Sequence, residues 1–279
     1  MFPTVLDVPG LQLVVRSNPL MLLLAAVVGF TVGPRWAEAL EGVDAGKTLR
    51  ALLVLAVAAF LGARLHFVLN NWAPLFSHRP LSALSFWSGM HAGGGIVAMV
   101  LAAVLVIPRL GVPIGKLFDG LIPTLGVCIA LGRVGCFLEG CCFGTACAWP
   151  WCITFPRESY IHTLHVQQGL IAASAPRTAS IHPLQLYFAA AALAIAATAL
   201  WLHPRKRYDG QVALVGLLLF SASAAALEFF RADQPLRVYW GPLPQLEWTA
   251  LAMTTASIVA LAVAEYAHSR RSLAAVPAS

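Results

Sequence analysis

The chain has 279 residues, of which 59% are hydrophobic and only 11% charged, with a mean hydropathy of +0.78. That composition is too apolar for a soluble domain, and its long uncharged runs read as an all-α, polytopic membrane protein. The formal net charge of +6 has no soluble basic domain to hold a duplex, which excludes a nucleic-acid surface and leaves topology and attraction to anionic lipid.

Seven spans are predicted in chain order: Pro19 to Gly33, Ala51 to Asn70, Ala92 to Ile107, Ile114 to Cys136, His182 to Leu202, Gln211 to Phe230 and Leu243 to Tyr266. The stretch before the first, "MFPTVLDVPGLQLVVRSNP", lacks a basic start and a small-residue cleavage site, so no removable signal peptide is expected. Lysine and arginine near span ends favour the cytoplasmic side. With the N-terminus outside, ten basic residues fall on cytoplasmic segments, among them the "HPRKRYDG" turn, and six on outer segments. The expectation is therefore one transmembrane domain over residues 1–279 with the N-terminus outside and the C-terminus inside. Residues 137–181 form its long outer-face loop, carrying Cys141, Cys142, Cys147, Cys152, His162 and His165.

An ionisable side chain at bilayer depth costs several kcal/mol unless it is paired or used. Arg64 lies inside the second span and Arg133 near the outer end of the fourth. Either would be satisfied by snorkelling or by a carboxylate such as Asp119, Glu139 or Glu228. Arg133, however, sits between Gly132 and Gly135, which let a backbone or ligand come close, and guanidinium is shaped to grip a phosphate bidentately. In "HAGGGI" the three glycines let a helix or a ligand approach, and His91 beside them is a candidate base. In "IHPLQLYF", Pro183 suits a helix start, and His182 and Gln185 are three apart on one face.

Spacing argues against a zinc site, because Cys141 and Cys142 are adjacent and Cys136, Cys147 and Cys152 follow no standard ligand interval; no metal or diffusible cofactor is expected. On an outer face, a disulfide among Cys141, Cys142, Cys147 and Cys152 is the favoured reading, with a catalytic cysteine as the alternative.

Taken together, these segments resemble the prolipoprotein diacylglyceryl transferase family, from "GARLHFVL" (Gly62 to Leu69) through "EFFRADQP" (Glu228 to Pro235). "GRVGCFLEGCCFG" matches that family's Gly-Arg-x-Gly-Asn-Phe-x-Asn-Gly-Glu-x-x-Gly at Gly132, Arg133, Gly135, Phe137, Gly140 and Gly144. "HPLQLYF" matches His-Pro-x-Gln-Leu-Tyr-Glu at His182, Pro183, Gln185, Leu186 and Tyr187, and Glu228, Phe229, Phe230, Arg231 and Asp233 match a Glu-Phe-Phe-Arg-x-x-Asp ending with small local changes.

The resemblance implies seven spans, an outward-facing site, phosphatidylglycerol as donor and a lipoprotein signal-peptide cysteine as acceptor, in a bacterial inner membrane. Together with the reading of the residues themselves, it makes Arg133 and His91 the catalytic candidates. Arg64, Arg133, Glu139, Gly140, Gly144, His182, Gln185, Tyr187, Glu228 and Arg231 become the substrate-binding set.

The departures fall on chemically important positions. Cys136 and Glu139 stand for the two signature asparagines, Cys141 for its glutamate, and Phe188 for the glutamate closing the His-Pro motif. The family's catalytic His-Gly-Gly lands on Gly93, two residues after His91, a displacement of about 200° around a helix. Its further arginine and tyrosine fall on Ala224 and Phe220. The expected activity is thus the lipoprotein transfer, with transfer to another acceptor, or noncatalytic phospholipid binding, as the alternatives. A thiol-based redox protein would explain the cysteines but not Arg133, "HPLQLY" or "EFFR".

Overall fold

The computed structural model describes residues 4–8, 13–72, 76–77, 80–85, 89–157, 159–232 and 239–274. A short antiparallel hairpin, β1 (Thr4–Val8) with β2 (Leu13–Arg16), leads directly into helix α1 (Ser17–Glu41). Helices α2 (Ala45–Asn70), α3 (Ala92–Leu105) and α4 (Ile114–Glu139) follow. A short α5 (Tyr160–Gln167) lies in the long loop, and α6 (Leu184–Leu202), α7 (Gln211–Glu228) and α8 (Gln245–Ala274) complete the chain. A two-residue ladder, β3 (Tyr239–Trp240) with β4 (Leu243–Pro244), precedes α8.

Among the described residues, six helices are long and apolar enough to cross a membrane: Ser17–Glu41, Ala45–Asn70, Ile114–Glu139, Leu184–Arg205, Gln211–Glu228 and Glu247–Arg271. Their exposed faces carry side chains such as Leu23 (62% exposed), Leu61 (55%) and Leu65 (59%), which water would not tolerate in such density but lipid does. The molecule is an all-α polytopic membrane protein. The expected third span is α3, whose 14 residues rise only about 21 Å against a hydrocarbon core of about 30 Å. The first span is longer than its apolar run suggested, because α1 continues through Pro34 to Glu41.

The chain divides into two compact units, Gly33–Gly120 and the remainder. Within Gly33–Gly120, α1 ends at Gly42, whose φ of +66° suits glycine, and the amides of Gly42 and Val43 return to the carbonyls of Glu38 and Ala37. Asp44 then caps α2 by accepting from the Lys47 amide at 2.8 Å. Helices α2 and α3 pack through small residues, since a Cβ on Gly94 would run into the Gly62 carbonyl and the His66 side chain, and one on Gly95 would lie 2.8 Å from the Ala59 carbonyl.

The other unit packs α6 against α7 and α7 against α8 in sequence order. A small-residue contact again sets the spacing of α4 and α6: a Cβ on Gly126 would stand 2.6 Å from the Ala192 carbonyl, beside a buried cluster of Ala130, Ala189 and Ala192. The "HPRKRYDG" turn is closed by Lys206 on Asp209 at 3.2 Å. It is tied to α8 by Glu265, which pairs with Arg207 at 3.3 Å and accepts from Gln211 at 3.1 Å.

Candidate functional site

The signature stretch is where α4 stops. Gly140, at φ +79°, turns the chain out of the helix, and the amides of Gly140 and Cys141 both return to the Cys136 carbonyl, at 3.0 and 3.1 Å. Cys142 follows at φ +56°, the one non-glycine residue with positive φ among those described, a conformation costing about 1 kcal/mol or more for a residue with a Cβ. This double turn folds the loop back onto the helix end and gathers the sulfurs of Cys136, Cys141 and Cys142 within 4.8 Å of one another.

Three sequence-distant motifs are stitched together next to that turn. Gly144 donates to the His182 carbonyl at 3.1 Å, His182 to Thr145 at 3.0 Å, Thr145 to Phe230 at 2.7 Å and Ala232 to Phe143 at 3.1 Å. Gly144 is there because nothing larger fits: a Cβ would lie 2.6 Å from the His182 Cβ and 3.1 Å from the Phe230 carbonyl. Gln185, fully buried, donates from Nε2 to the Cys141 carbonyl at 2.6 Å. Tyr187 Oη accepts from Trp151 Nε1 at 2.9 Å and meets His182 Nδ1 at 3.1 Å.

The long loop has its own apolar core of Phe143, Phe155, Ile161, Leu164 and Ile181. Cys147 and Cys152 are disulfide-bonded across a Cα separation of 5.8 Å, so one pair among the four expected loop cysteines does form. Both loop histidines are buried: His162 Nε2 lies 2.8 Å from the Ala175 carbonyl, and the His165 ring is edge-on to Phe143 at 5.9 Å. Burial, and then the nearby His162, lowers the pKa of His165 below the usual imidazole value.

Arg133 stacks on the Phe188 ring, with its guanidinium carbon 4.2 Å from the centroid. Among the described residues it has no hydrogen-bond or ion-pair partner. The carboxylates expected to compete for the arginines go elsewhere: Glu139 pairs with Arg16 at 3.2 Å, and buried Glu228 pairs with Arg231 at 3.6 Å. The glycines beside Arg133 face α1, since a Cβ on Gly135 would be 2.9 Å from the Met21 Cβ and one on Gly132 would be 3.6 Å from Leu22. The room they make is for helix packing. Arg231 also points Nη2 at Cys142 Sγ, 3.8 Å away. Hydrogen bonds from Cys136 and Cys141, then the charges of Arg231 and Arg133, hold the Cys142 thiol below the usual range, while hydrogen bonds with Cys136 and Cys142, then burial, push that of Cys141 upward.

Arg64 and His91 belong to the unit Gly33–Gly120. Arg64 is buried, and its fork is committed to backbone: Nε and Nη2 donate to the Ala83 carbonyl at 3.0 and 2.7 Å, and Nη1 to that of Gly89 at 2.9 Å. It fastens the segment between α2 and α3, and the carbonyls replace the carboxylate expected as its partner. His91 is the N-cap residue of α3. Its Nδ1 lies 3.4 Å from Asn70 Nδ2, and its ring is edge-on to His66 at 5.1 Å and to Phe67 at 5.3 Å. Gly94 and Gly95 serve the packing against α2, and a Cβ on Gly93 would meet the His66 ring at 3.6 Å.

Sequence reasoning left three groups out: Phe188 as the platform under Arg133, Asn18, whose Nδ2 is 4.0 Å from Cys136 Sγ, and the mutual approach of three cysteines. Only Phe188 had a signal, as an aromatic ring in the place of a motif carboxylate. Asp233, matched to the last motif, lies outside the described residues.

Known proteins are similar along much of the chain. The chain is 27% identical over 229 residues to a phosphatidylglycerol–prolipoprotein diacylglyceryl transferase of Bordetella avium, covering 81% of this chain and 80% of that one. It is 30% identical over 195 residues to the protein of the same name from the Wolbachia of Drosophila simulans, covering 68% of each. A Rhodopirellula baltica protein of that name is 27% identical over 161 residues, 56% of this chain, which spans only 32% of that relative's length. The family described as prolipoprotein diacylglyceryl transferase matches residues 3–263, nearly the whole chain. On that extent of match, and with its three motifs meeting at the end of α4, the chain belongs to the prolipoprotein diacylglyceryl transferase family.

Proposed function

We propose that this chain transfers diacylglyceryl from phosphatidylglycerol to the signal-peptide cysteine thiol of a lipoprotein, in a bacterial inner membrane. Family membership and the names of its relatives support the reaction class. The observation that carries it to this chain is Arg133, a cation in an apolar helix with no anionic partner among the described residues and an aromatic ring beneath it. A group kept charged and unpaired at such depth is poised for an anion supplied by a ligand.

In the reaction the acceptor sulfur attacks the glycerol carbon that bears the phosphate, a C–S bond forms, the C–O bond breaks, and glycerol phosphate leaves with the electron pair. Arg133 would hold the phosphate and stabilise the charge that develops on the leaving oxygen. The thiol proton goes to a base, for which His91 is the side-chain candidate. Arg64 acts on this reading by holding the segment before His91, and the set Gln185, Tyr187, Gly140 and Gly144 by shaping the turn beside Arg133. Phospholipid binding without turnover is the second reading, favoured by Phe188, Ala224 and Phe220, where the family carries reactive side chains.

Expression in bacteria depleted of their own transferase tests both. Restored diacylglyceryl thioether on a reporter lipoprotein is the expected result, and binding of phosphatidylglycerol without any thioether would establish the second reading instead.

We also propose that residues 137–181 face outside and "HPRKRYDG" inside, on the ten-to-six asymmetry of basic residues. Single cysteines at Ser174 and Asp209, placed in a background without the native ones, are to be labelled in intact cells with an impermeant reagent. Ser174→Cys should react and Asp209→Cys should not; the reverse pattern overturns the orientation.

A further inference from the structure

We propose that Cys136, Cys141 and Cys142 form a three-thiolate site for zinc(II). Their sulfurs all lie within 4.8 Å of one another, and a tetrahedral zinc with bonds of about 2.3 Å holds its sulfurs about 3.8 Å apart, so closure needs a side-chain shift of less than about 1 Å. The backbone already pays for this convergence: Gly140 and Cys142 both adopt positive φ, and only the first is a glycine. Around the sulfurs stand groups of the kind that orient metal-bound thiolates, with Arg231 Nη2 at 3.8 Å from Cys142 Sγ and Asn18 Nδ2 at 4.0 Å from Cys136 Sγ. Three thiolates and one zinc carry a net charge of about −1, which Arg231 complements.

Disulfide chemistry cannot satisfy the same three groups. Cys147 and Cys152 are paired, while Cys136, Cys141 and Cys142 are free thiols. Adjacent Cα atoms are about 3.8 Å apart, below the usual disulfide range, and Cys141 and Cys142 are unbridged. Any bridge from Cys136 leaves one thiol over. A metal ion takes all three. The intervals along the sequence argued against zinc because they assume ligands on an extended loop; here one ligand comes from the last turn of α4 and two from the reversal that follows it.

Three protein ligands leave the fourth zinc position open, and the acceptor in the proposed reaction is itself a thiol. A coordinated thiol is deprotonated outright, with its proton released to solvent, so the site would supply the attacking thiolate without a side-chain base. This use rests on the transferase reading; the metal site does not.

The test uses the full chain purified in detergent without chelator, with metals measured by plasma mass spectrometry. About one zinc per chain is expected, falling at least tenfold in Cys136→Ser and Cys142→Ser and unchanged in Cys128→Ser, a free thiol elsewhere on α4. In case the serine variants misfold, wild-type protein stripped of metal and titrated with cobalt(II) should develop intense thiolate charge-transfer absorption, and zinc should slow alkylation of the three cysteines at least tenfold. Absence of bound metal together with absence of the cobalt bands overturns the site, as does a disulfide from Cys136 to Cys141 or Cys142 in peptide mapping. Copper(I) recovered in place of zinc overturns the choice of ion. Zinc retained without any thioether formation faults the transferase reading alone, whereas thioether formation by metal-free protein overturns the use of zinc in the reaction, and the binding measurements above decide the site itself.

Discussion

Arg133→Ala is expected to weaken phosphatidylglycerol binding by about a hundredfold, because removing one member of a desolvated, hydrogen-bonded charge pair costs about 2–5 kcal/mol. The structure makes this residue separable from its neighbours. Glu139 is paired with Arg16 and Glu228 with Arg231, so deleting Arg133 strands no carboxylate among the described residues, and what is lost is the contact to the ligand together with the stacking on Phe188. Phe188→Leu controls for the stacking, worth about 0.5–2 kcal/mol, and should lower affinity far less. Arg133→Lys keeps the charge but not the fork, and an intermediate loss of about tenfold is expected. Binding to nanodiscs of phosphatidylglycerol against phosphatidylcholine, and release of glycerol phosphate, measure both steps. Wild-type values for Arg133→Ala would remove the head-group assignment and with it the main support for the proposed function.

Gly144→Ala should be the most damaging single methyl in the loop. The new carbon would stand 2.6 Å from the His182 Cβ and 2.8 Å from the His182 carbonyl, the acceptor of the Gly144 amide itself. Neither neighbour can move without breaking the bonds that join residues 143–145 to His182 and Phe230. Overpacking of this kind costs about 1–3 kcal/mol, to which loss of the bonds to His182 and Phe230 adds. Gly169→Ala is the matched control: its φ is +70° but nothing lies within 4 Å, so only backbone strain of about 1 kcal/mol is expected. Hydrogen exchange at the amides of Thr145, His182 and Ala232 reports the stitching directly. It should rise sharply in Gly144→Ala and stay near wild type in Gly169→Ala; equal protection in both would mean that the three motifs are not held together in this way.

Residues whose meaning depends on near neighbours in sequence were legible before the fold was seen. Pro183 does precede the first turn of α6, because a missing amide proton is harmless there. Two of the loop cysteines do pair. "HAGGGI" left two readings open, a helix contact or a ligand contact, and the structure gives its glycines to α2. A glycine announces close approach without saying what approaches. Arg64 shows the same ambiguity for a charge: its burial was expected to require a partner, but five donors can be met by carbonyls as well as by carboxylates, and carbonyls leave no trace in a sequence.

By itself the sequence determined the membrane class, the approximate positions of six of the seven expected spans and the three motifs, since hydropathy and turn chemistry act over a few residues and cannot depend on distant ones. Tertiary structure alone decided that Arg133 lies on Phe188, that Glu228 turns to Arg231 and that three cysteines meet at the end of α4. The last of these follows from two positive φ angles in three residues. Such a reversal is selected by the contacts it makes with His182, Gln185 and Phe230, which lie roughly 40 to 90 positions further along the chain and are brought there only when α4, α6 and α7 pack.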